Sequence, residues 1–511
     1  MIASLKHFKH TCSDFGVEDA NIKILATEAT RTAVNSADFR QRIKDATGWE
    51  VSMLAKEEEG RVGAMGVASS LGAVNGLMMD LGGGSTQLTW IMTSGDKGFQ
   101  MPSTGAVSMP FGAAALTRGL VDADRQGKGA RQRFADQIQS RIKEAYDSLN
   151  VPKQLHDLAK QQGGFALYLS GGGFRGWGFV LMNQHAIQPY PISVINGLRA
   201  SRADFMDTQN VQSAVLDQQS SEDEAIFRVS QRRASQVPAV AFLVTALSSA
   251  LPEIKEVRFC QGGVREGYLL STLPPSIQSQ SPLTVATNPY ASASATHFTD
   301  LLLSTLPPFT TNTHYPGLPP PPLPSKNLIT AYANTLFHFS THPKDIRTAS
   351  ALRSTTTGFL ASVHGLSHEE RAALALLLTE RWGGVKELPP TETGFFVNLG
   401  RVLDPVVGLR WWVLFLGRVG TLVGAVYPAG VVRAASGQGE GQRGTLMRFQ
   451  AGWKESKKGH EIMILRISGL GVGGAEEYAS EIEAIEKVGK KKNWVGGKDG
   501  YGYKIEVEVV A

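Results

Sequence analysis

Apolar and polar positions follow two rhythms along this chain, and the switches between them outline its elements. "NIKILA" (21–26) and "WEVSML" (49–54) are short apolar runs of strand length. Between them Phe39, Ile43 and Ala46 recur at helical spacing after Ser36, and Gly48 closes the pattern, which predicts a capped helix. "EEEGRVGAMGVASSL" (57–71) opens on acids, as a helix N-terminus prefers. From Leu77 three strands are expected in succession, at 77–81, 86–92 and about 99–108, joined by short Gly/Ser/Asp turns. A long helix follows, with Phe134, Ile138, Ile142, Ala145 and Leu149 on one face. "FALYLS" (165–170) is a buried strand that runs into "GGGFRGWG". A very apolar helix, about 237–251, leads to the strand "EVRFC" and the turn "QGGVREG".

Residues 77–270 therefore read β-β-β-α-β-α-β. An antiparallel start followed by strands reached through helical crossovers describes a ribonuclease-H-like lobe. Residues 1–75 read α-β-α-β-α, alternating helices and short strands. The expected class is α/β, with a ribonuclease-H-like lobe at 76–270 and further modules behind it. "STLPPSIQSQSPL" and "YPGLPPPPLPSK" mark 271–326 as a Pro/Ser-rich linker or insert of extended, polyproline character. Residues 327–435 read as a helical domain, with Ser367 and Glu370 as a capping box before "RAALALLLTERW". The tail, 445–511, reads β-β-α-β, a small α+β module.

Composition narrows the partners. Of 511 residues, 42% are hydrophobic and 19% charged, and the net charge is +5. That surplus is too small for a chain of this length to argue direct nucleic-acid binding. The run Lys490, Lys491, Lys492 reads as a complement to a helix dipole. Two cysteines, Cys12 and Cys260, without metal spacing suit a reducing, cytoplasmic setting. "MIASLKHFKHTCSDF" has no apolar core of a secretory signal. "WWVLFLGRVGTLVGAVY" (411–427) is interrupted by Arg418 and reads as a buried helix, so no membrane span is expected.

Three glycine-rich segments each follow an expected strand: "DLGGGST" (80–86), "SGGGFRG" (170–176) and "QGGVREG" (261–267). Backbone amides at such junctions form anion nests, and glycine lets phosphate oxygens approach them. Asp80 beside such a nest suits Mg²⁺, which takes one or two carboxylates plus phosphate and water. "GGGFRG" satisfies G-x-G-x-x-G, but the acid that a dinucleotide site needs about 20 residues on is absent, and no Walker motif occurs.

"LMMDLGGGSTQL" resembles the second phosphate motif of the exopolyphosphatase/guanosine pentaphosphate phosphatase (Ppx/GppA) family. "ATEATRTAVNSADF", "EEEGRVGAMGV", "SMPFGAAALT", "ISVINGL", "RVSQRRASQVPA" and "GGVREGYLL" stand around it in the family's order. "SGGGFRGWGF", the block at 349–384 and the ending "KVGKKKNWVGGKDGYGYKIEVEV" are similar to its fungal, retrograde regulation protein 2 branch. The resemblance implies lobes of the actin/Hsp70/sugar-kinase kind with phosphate held in the cleft. It implies Glu59 as the carboxylate that activates water, Arg31 as a phosphate contact, and Asp80 as the Mg²⁺-side acid. Gly82, Gly83, Gly84 and Ser85 would form the phosphate loop, with Gly171, Gly172 and Gly173 as the second one. Read from the residues alone, Glu59 is one of three acids serving a helix dipole.

The branch implies a regulator of mitochondria-to-nucleus signalling that binds polyphosphate or a nucleotide, ATP or a guanosine polyphosphate, with weak or no hydrolysis and with protein partners in a signalling pathway. A Mg²⁺-dependent exopolyphosphatase or pentaphosphate phosphohydrolase, and a scaffold with vestigial loops, are the alternatives. The family's opening D-x-G-S-N-S strand has no counterpart in residues 1–75, so the resemblance implies that 1–75 are the remainder of an incomplete first ribonuclease-H-like lobe, with Met1 expected to lie inside that domain. His364 and His368 lack the His-Asp metal pair of some relatives and are expected at the surface. Arg265 and Glu266 are expected to anchor a loop, Glu266 pairing with Arg232 or Arg233.

Overall fold

The structure is a computed structural model that describes residues 1–94, 98–220, 226–308, 323–432, 446–456, 461–470, 474–497 and 500–510. Strands β1 (Ile24–Ala26) and β2 (Val51–Met53) pair in parallel, Ile24 opposite Val51. The main sheet holds β3 (Asn75–Leu81), β4 (Thr86–Thr93), β5 (Phe99–Gln100), β6 (Val107–Met109), β7 (Phe165–Ser170), β8 (Arg199–Ser201) and β9 (Ile254–Phe259). Its order is β5-β4-β3-β7-β9-β8, with β6 also on β4. β3 and β4 form an antiparallel hairpin, whereas β3, β7 and β9 run parallel.

β3 and β7 are mostly apolar because both faces are covered. Leu77, Met79, Leu81, Leu167 and Leu169 pack with helices Ala130–Ser148, Gly172–Asn183 and Val237–Ala250. Met78 and Tyr168 face the other way, onto Ala64, Val67 and Ala68 of helix Lys56–Ser69. That helix crosses helix Val264–Ser271 at unusually close range. A Cβ on Gly267 would lie 1.8 Å from the Val62 carbonyl oxygen, and one on Gly262 would lie 1.9 Å from that of Gly66.

The strand expected at 99–108 is two strands. Pro102 has no amide for a ladder, Gly105 turns at φ 75° and donates to the Pro102 carbonyl, and β5 and β6 pair with opposite ends of β4. The extended insert expected at 271–326 is also corrected. Helices Pro275–Gln278, Pro282–Thr287 and Ala295–Leu303 occupy its first half. Pro275 and Pro282 begin the first two of these, in the first turn, where the missing amide costs nothing. Leu283, Phe298, Leu301 and Leu302 are buried in the core of the C-terminal half. Most of "YPGLPPPPLPSK" lies outside the described residues.

Helix Leu409–Val426 buries Trp411, Trp412, Phe415 and Val419, with Arg418 paired to Glu380 at 2.5 Å. By length and composition it is the one helix among the described residues that could cross a membrane, but 61% of that window is buried inside the protein. Beyond it β10 (Arg448–Glu455), β11 (Glu461–Ser468) and β12 (Lys504–Val510) form a sheet in that order, with helix Ala479–Val488 against it. Met463, Leu465, Ile485 and Tyr503 share one core with Trp411 and Phe415. The expected helical and α+β modules are thus packed as one body.

The two halves of the chain meet at residues 190–199. The Asn196 side chain, 2% exposed, donates to the carbonyls of Ser70 and Leu366 and accepts from the Gln261 amide. Arg199 and Arg258 pair with Glu256 and Glu369. The Ser367–Glu370 capping box forms as expected.

His364 is exposed, but His368 corrects the expectation of a surface residue: it is 1% exposed. One ring nitrogen contacts the Tyr190 hydroxyl at 2.7 Å and the other the Val194 carbonyl at 2.9 Å. Burial pushes its pKa down to about 3, the Val194 hydrogen bond opposes this, and Arg371, His185 and Arg258 lower it further. An unfolded histidine protonates near its ordinary 6.5 while the folded one stays neutral. Stability is therefore lost as pH falls below ~6.5, by about 1.4 kcal/mol per unit. Glu370, whose pKa burial raises, works in the opposite sense. A His368→Gln variant separates the two. From pH 6.5 to 5, urea denaturation should show the parent losing about 2 kcal/mol more than the variant, and equal slopes would refute a neutral buried His368.

Candidate functional site

β3, β7 and β9 are parallel, so their C-terminal ends, Leu81, Ser170 and Phe259, share one edge of the sheet. In open α/β sheets that edge is where ligands bind. The glycine loops 82–85 and 171–173 lie together there, as the sequence predicts. A Cβ on Gly171 would sit 2.3 Å from the Leu81 carbonyl oxygen, and one on Gly173 2.4 Å from the Leu81 side chain. These two glycines are required for the loops to touch. Gly171 also has φ 90°.

Loop 82–85 is held by its carbonyls. Gly82 donates to the Ser85 oxygen, and the oxygens of Gly82, Gly83 and Gly84 accept from Ala113, Ala114 and Gly112. The N-terminus of helix Ala113–Gln126 is spent in this way on fixing the loop. The amides of Gly83 and Gly84 have no acceptor among the described residues, nor do those of Gly172 and Gly173 at the start of helix Gly172–Asn183. A Cβ on Gly83, Gly84 or Gly172 would meet open space. Beside them opens a pocket of about 370 Å³ walled by Gly82, Gly83, Gly172, Gly173, Arg232 and Arg233. Unspent amides facing a cationic pocket make an anion site.

Asp80 alternates with Met79 and so faces the other side of the sheet, beneath helix Lys56–Ser69. The Ser170 hydroxyl donates to its carboxylate at 2.5 Å. Burial raises the Asp80 pKa and the Ser170 bond lowers it. No basic side chain pairs with Asp80 among the described residues. Gln87, opposite Asp80 in the hairpin, lies beside Gly63 of helix Lys56–Ser69.

Glu59 is one turn earlier on that helix. Arg31 donates to Glu59 at 3.1 Å and to the Leu54 carbonyl at 2.5 Å. The acids of this first turn are not equivalent. Glu58 pairs with Arg61 on the surface, while the Glu59 side chain is 13% exposed and held by Arg31. The structure therefore joins Arg31 to Glu59 and Asp80 to Ser170, and it gathers Gly82, Gly83, Gly84, Ser85, Gly171, Gly172 and Gly173 at one edge. It gives Arg31 and Glu59 no hydrogen bond to either glycine loop.

At the third glycine turn the expected anchor does not form. The Arg265 side chain is 90% exposed, and Glu266 accepts from the Gly263 amide at 2.9 Å, capping its own helix, rather than pairing with Arg232 or Arg233. Arg233 instead donates to the Arg228 carbonyl and lays its stem along Gly176. Sequence reading missed Ser170, Arg175 and Arg233 as site residues. For Arg175 the signal was present, since it stands inside "SGGGFRG"; Arg233 lies in "RVSQRRASQVPA", which has no glycine.

The Ppx/GppA phosphatase family profile matches residues 1–276, and that of the RTG2 C-terminal domain matches residues 281–511. Retrograde regulation protein 2 of Saccharomyces cerevisiae is 36% identical over 441 residues, 84% of this chain and 71% of that protein. Exopolyphosphatase 1 of Mycobacterium leprae is 27% identical over 50% of this chain and 68% of that protein. A crystal structure of the Aquifex aeolicus Ppx/GppA family member superimposes at TM-score 0.41 with 22% identity, covering 53% of this chain and 79% of that one. With its sheet, its glycine loops and more than half its length matched, the chain belongs to the Ppx/GppA phosphatase family.

Proposed function

We propose that this protein is a regulatory phosphate- or nucleotide-binding protein of the retrograde type, with weak or no turnover. One observation carries the reading: two glycine loops with unspent amides converge beside an arginine-walled pocket. Such donors, fixed before a ligand arrives, favour the charge of phosphoryl oxygens. The 36% identity to a protein named for retrograde regulation supports the regulatory half of the reading. Polyphosphate or a guanosine polyphosphate is the ligand class, in keeping with the names of the family and of the mycobacterial relative. Cys12 and Cys260 are free thiols, which supports a cytoplasmic setting.

Mg²⁺ would have one protein ligand, Asp80, two residues ahead of the first glycine loop. Asp80 is a shielded carboxylate without a basic partner, and Mg²⁺ commonly takes one carboxylate, with phosphate oxygens and water completing its shell. No group of three His, Cys, Asp or Glu side chains among the described residues could hold an ion without phosphate. When bound, the ion would neutralise phosphate charge.

The hydrolytic alternative rests on Glu59, which is shielded but has no hydrogen bond to either glycine loop. Its carboxylate is engaged by Arg31, which argues for slow proton abstraction from water. The test is calorimetry with Mg²⁺ and tripolyphosphate or ATP, followed by phosphate release. Micromolar binding with release near background, unchanged in Glu59→Gln, is expected. Release that falls by about 10²-fold or more in Glu59→Gln would establish the enzyme instead, and absence of any binding would leave a scaffold.

A further inference from the structure

A pocket of about 230 Å³ opens at the seam between the two halves of the chain. It shares no wall residue with the pocket at the glycine loops. Lys255, near the start of β9, places it toward the opposite edge of the main sheet. His185 and Lys255 come from the segment matched by the phosphatase profile, and Arg401, Val402 and Pro405 from that of the C-terminal domain.

Three of its polar side chains keep donors unspent. Arg401 gives one hydrogen bond, to the Ala186 carbonyl, and pairs with no carboxylate among the described residues. Lys255 has neither a hydrogen bond nor an ion pair among them. His185 accepts from the Ile187 amide at Nδ1, 3.0 Å, and its ring stands edge-on to Tyr190 with centroids 4.8 Å apart. Burial and then Arg401 lower its pKa against the pull of Asp204, so the ring is neutral and its proton sits on Nε2. Tyr190 and His368 offer nothing further, because they are bonded to each other and to the Val194 carbonyl.

The charges of the wall set the ligand's charge. Glu256 and Glu369 are matched by Arg199 and Arg258 in a closed network. What remains is Lys255 and Arg401 against Asp204, a surplus of one positive charge. A single carboxylate cancels it, whereas a phosphate dianion or a condensed phosphate overshoots. Guanidinium also takes a carboxylate in paired hydrogen bonds. Ile187, Val402 and Pro405 give the pocket an apolar side for a short hydrocarbon body.

We propose that this seam pocket is a second binding site, for a small organic monocarboxylate held by Arg401, Lys255 and His185. Since its walls come from both matched segments, the ligand fastens one half to the other.

The experiment uses the full chain with sodium butyrate, its uncharged counterpart butyramide, and orthophosphate as probes, followed by ligand-observed NMR and thermal denaturation. The parent should bind butyrate with a dissociation constant of about a millimolar or tighter, and the other two about tenfold more weakly or worse. Butyrate should raise the parent's melting temperature, as a ligand of the folded state does. Arg401→Met should lose about tenfold or more of butyrate affinity, and Arg401→Lys should recover part of it. Lys255 is exposed, so Lys255→Met should weaken butyrate while leaving the unliganded melting temperature unchanged. Tripolyphosphate affinity should change less than about twofold in both methionine variants. If the parent does not bind butyrate, binds butyramide or orthophosphate as tightly, or binds butyrate undiminished in both methionine variants, the pocket is not a carboxylate site. A parent that binds butyrate but not tripolyphosphate keeps this site and refutes the glycine-loop reading, and the reverse result refutes this site alone.

Discussion

Gly267→Ala should destabilise the protein by about 3 kcal/mol, although local propensity predicts the reverse. Gly267 lies inside helix Val264–Ser271, where alanine is favoured over glycine by ~1 kcal/mol. The added methyl would sit 1.8 Å from the Val62 carbonyl oxygen and 2.6 Å from the Gly66 nitrogen. Both are backbone atoms of the helix it crosses, so no rotamer change relieves the clash. Helices Lys56–Ser69 and Val264–Ser271 would have to part, loosening Ala64, Val67 and Ala68 from Met78 and Tyr168. Overpacking of this kind commonly costs 1–3 kcal/mol, and a backbone-to-backbone clash belongs at or above the upper end. Urea denaturation decides it, and any gain in stability would show that the helices separate freely.

The second large effect divides the glycines by what they touch. Gly83→Ala and Gly172→Ala place a methyl in open space at φ values that alanine accepts, so the melting temperature should hold within a degree or two. The same methyls would occupy the approach to the unspent amides. Hydrogen bonds to a charged group contribute about 1.5–3 kcal/mol each, so tripolyphosphate affinity should fall by about 10²-fold. Gly171→Ala should behave oppositely in the fold: φ 90° and a 2.3 Å contact with the Leu81 carbonyl oxygen predict a lower melting temperature whether or not ligand is present. Differential scanning with and without tripolyphosphate separates the classes. If Gly83→Ala and Gly172→Ala bind as the parent does, the loops do not hold phosphate.

What the sequence made legible follows from how local each signal is. "LMMDL" and "FALYLS" are read as strands because both faces are buried and every position carries the message. The capping box at Ser367 and the αL glycine at Gly48 are complete within a few residues. The glycine loops were found because glycine marks its own need for close approach. The rest depended on distant chain. Ser170 reaches Asp80 across 90 residues, and nothing near Asp80 announces it. The prolines at 275 and 282 look like coil but begin helices, because Leu283 and Phe298 find a core made by residues far downstream. His368 carries a polar label into a buried place because Tyr190 and Val194 satisfy both its nitrogens. Arg265 failed as an anchor because Glu266 had a nearer task, the amide of Gly263.

Asn196 ties its oxygen and its nitrogen to residues that the sequence keeps far apart: Ser70, Gln261 and Leu366. Ser70 and Gln261 fall within the segment matched by the phosphatase profile and Leu366 within that of the C-terminal domain. This loop therefore has two owners in evolutionary terms. Neighbouring Gly197 tightens the bond, since a Cβ there would lie 2.6 Å from the Ser367 Cα. Neither half can drift at this seam without the other. Among descendants of this chain, changes at 196 and 197 should travel with changes near 70, 261 and 366, so the boundary between the two matched segments is a place of shared inheritance rather than a point of exchange.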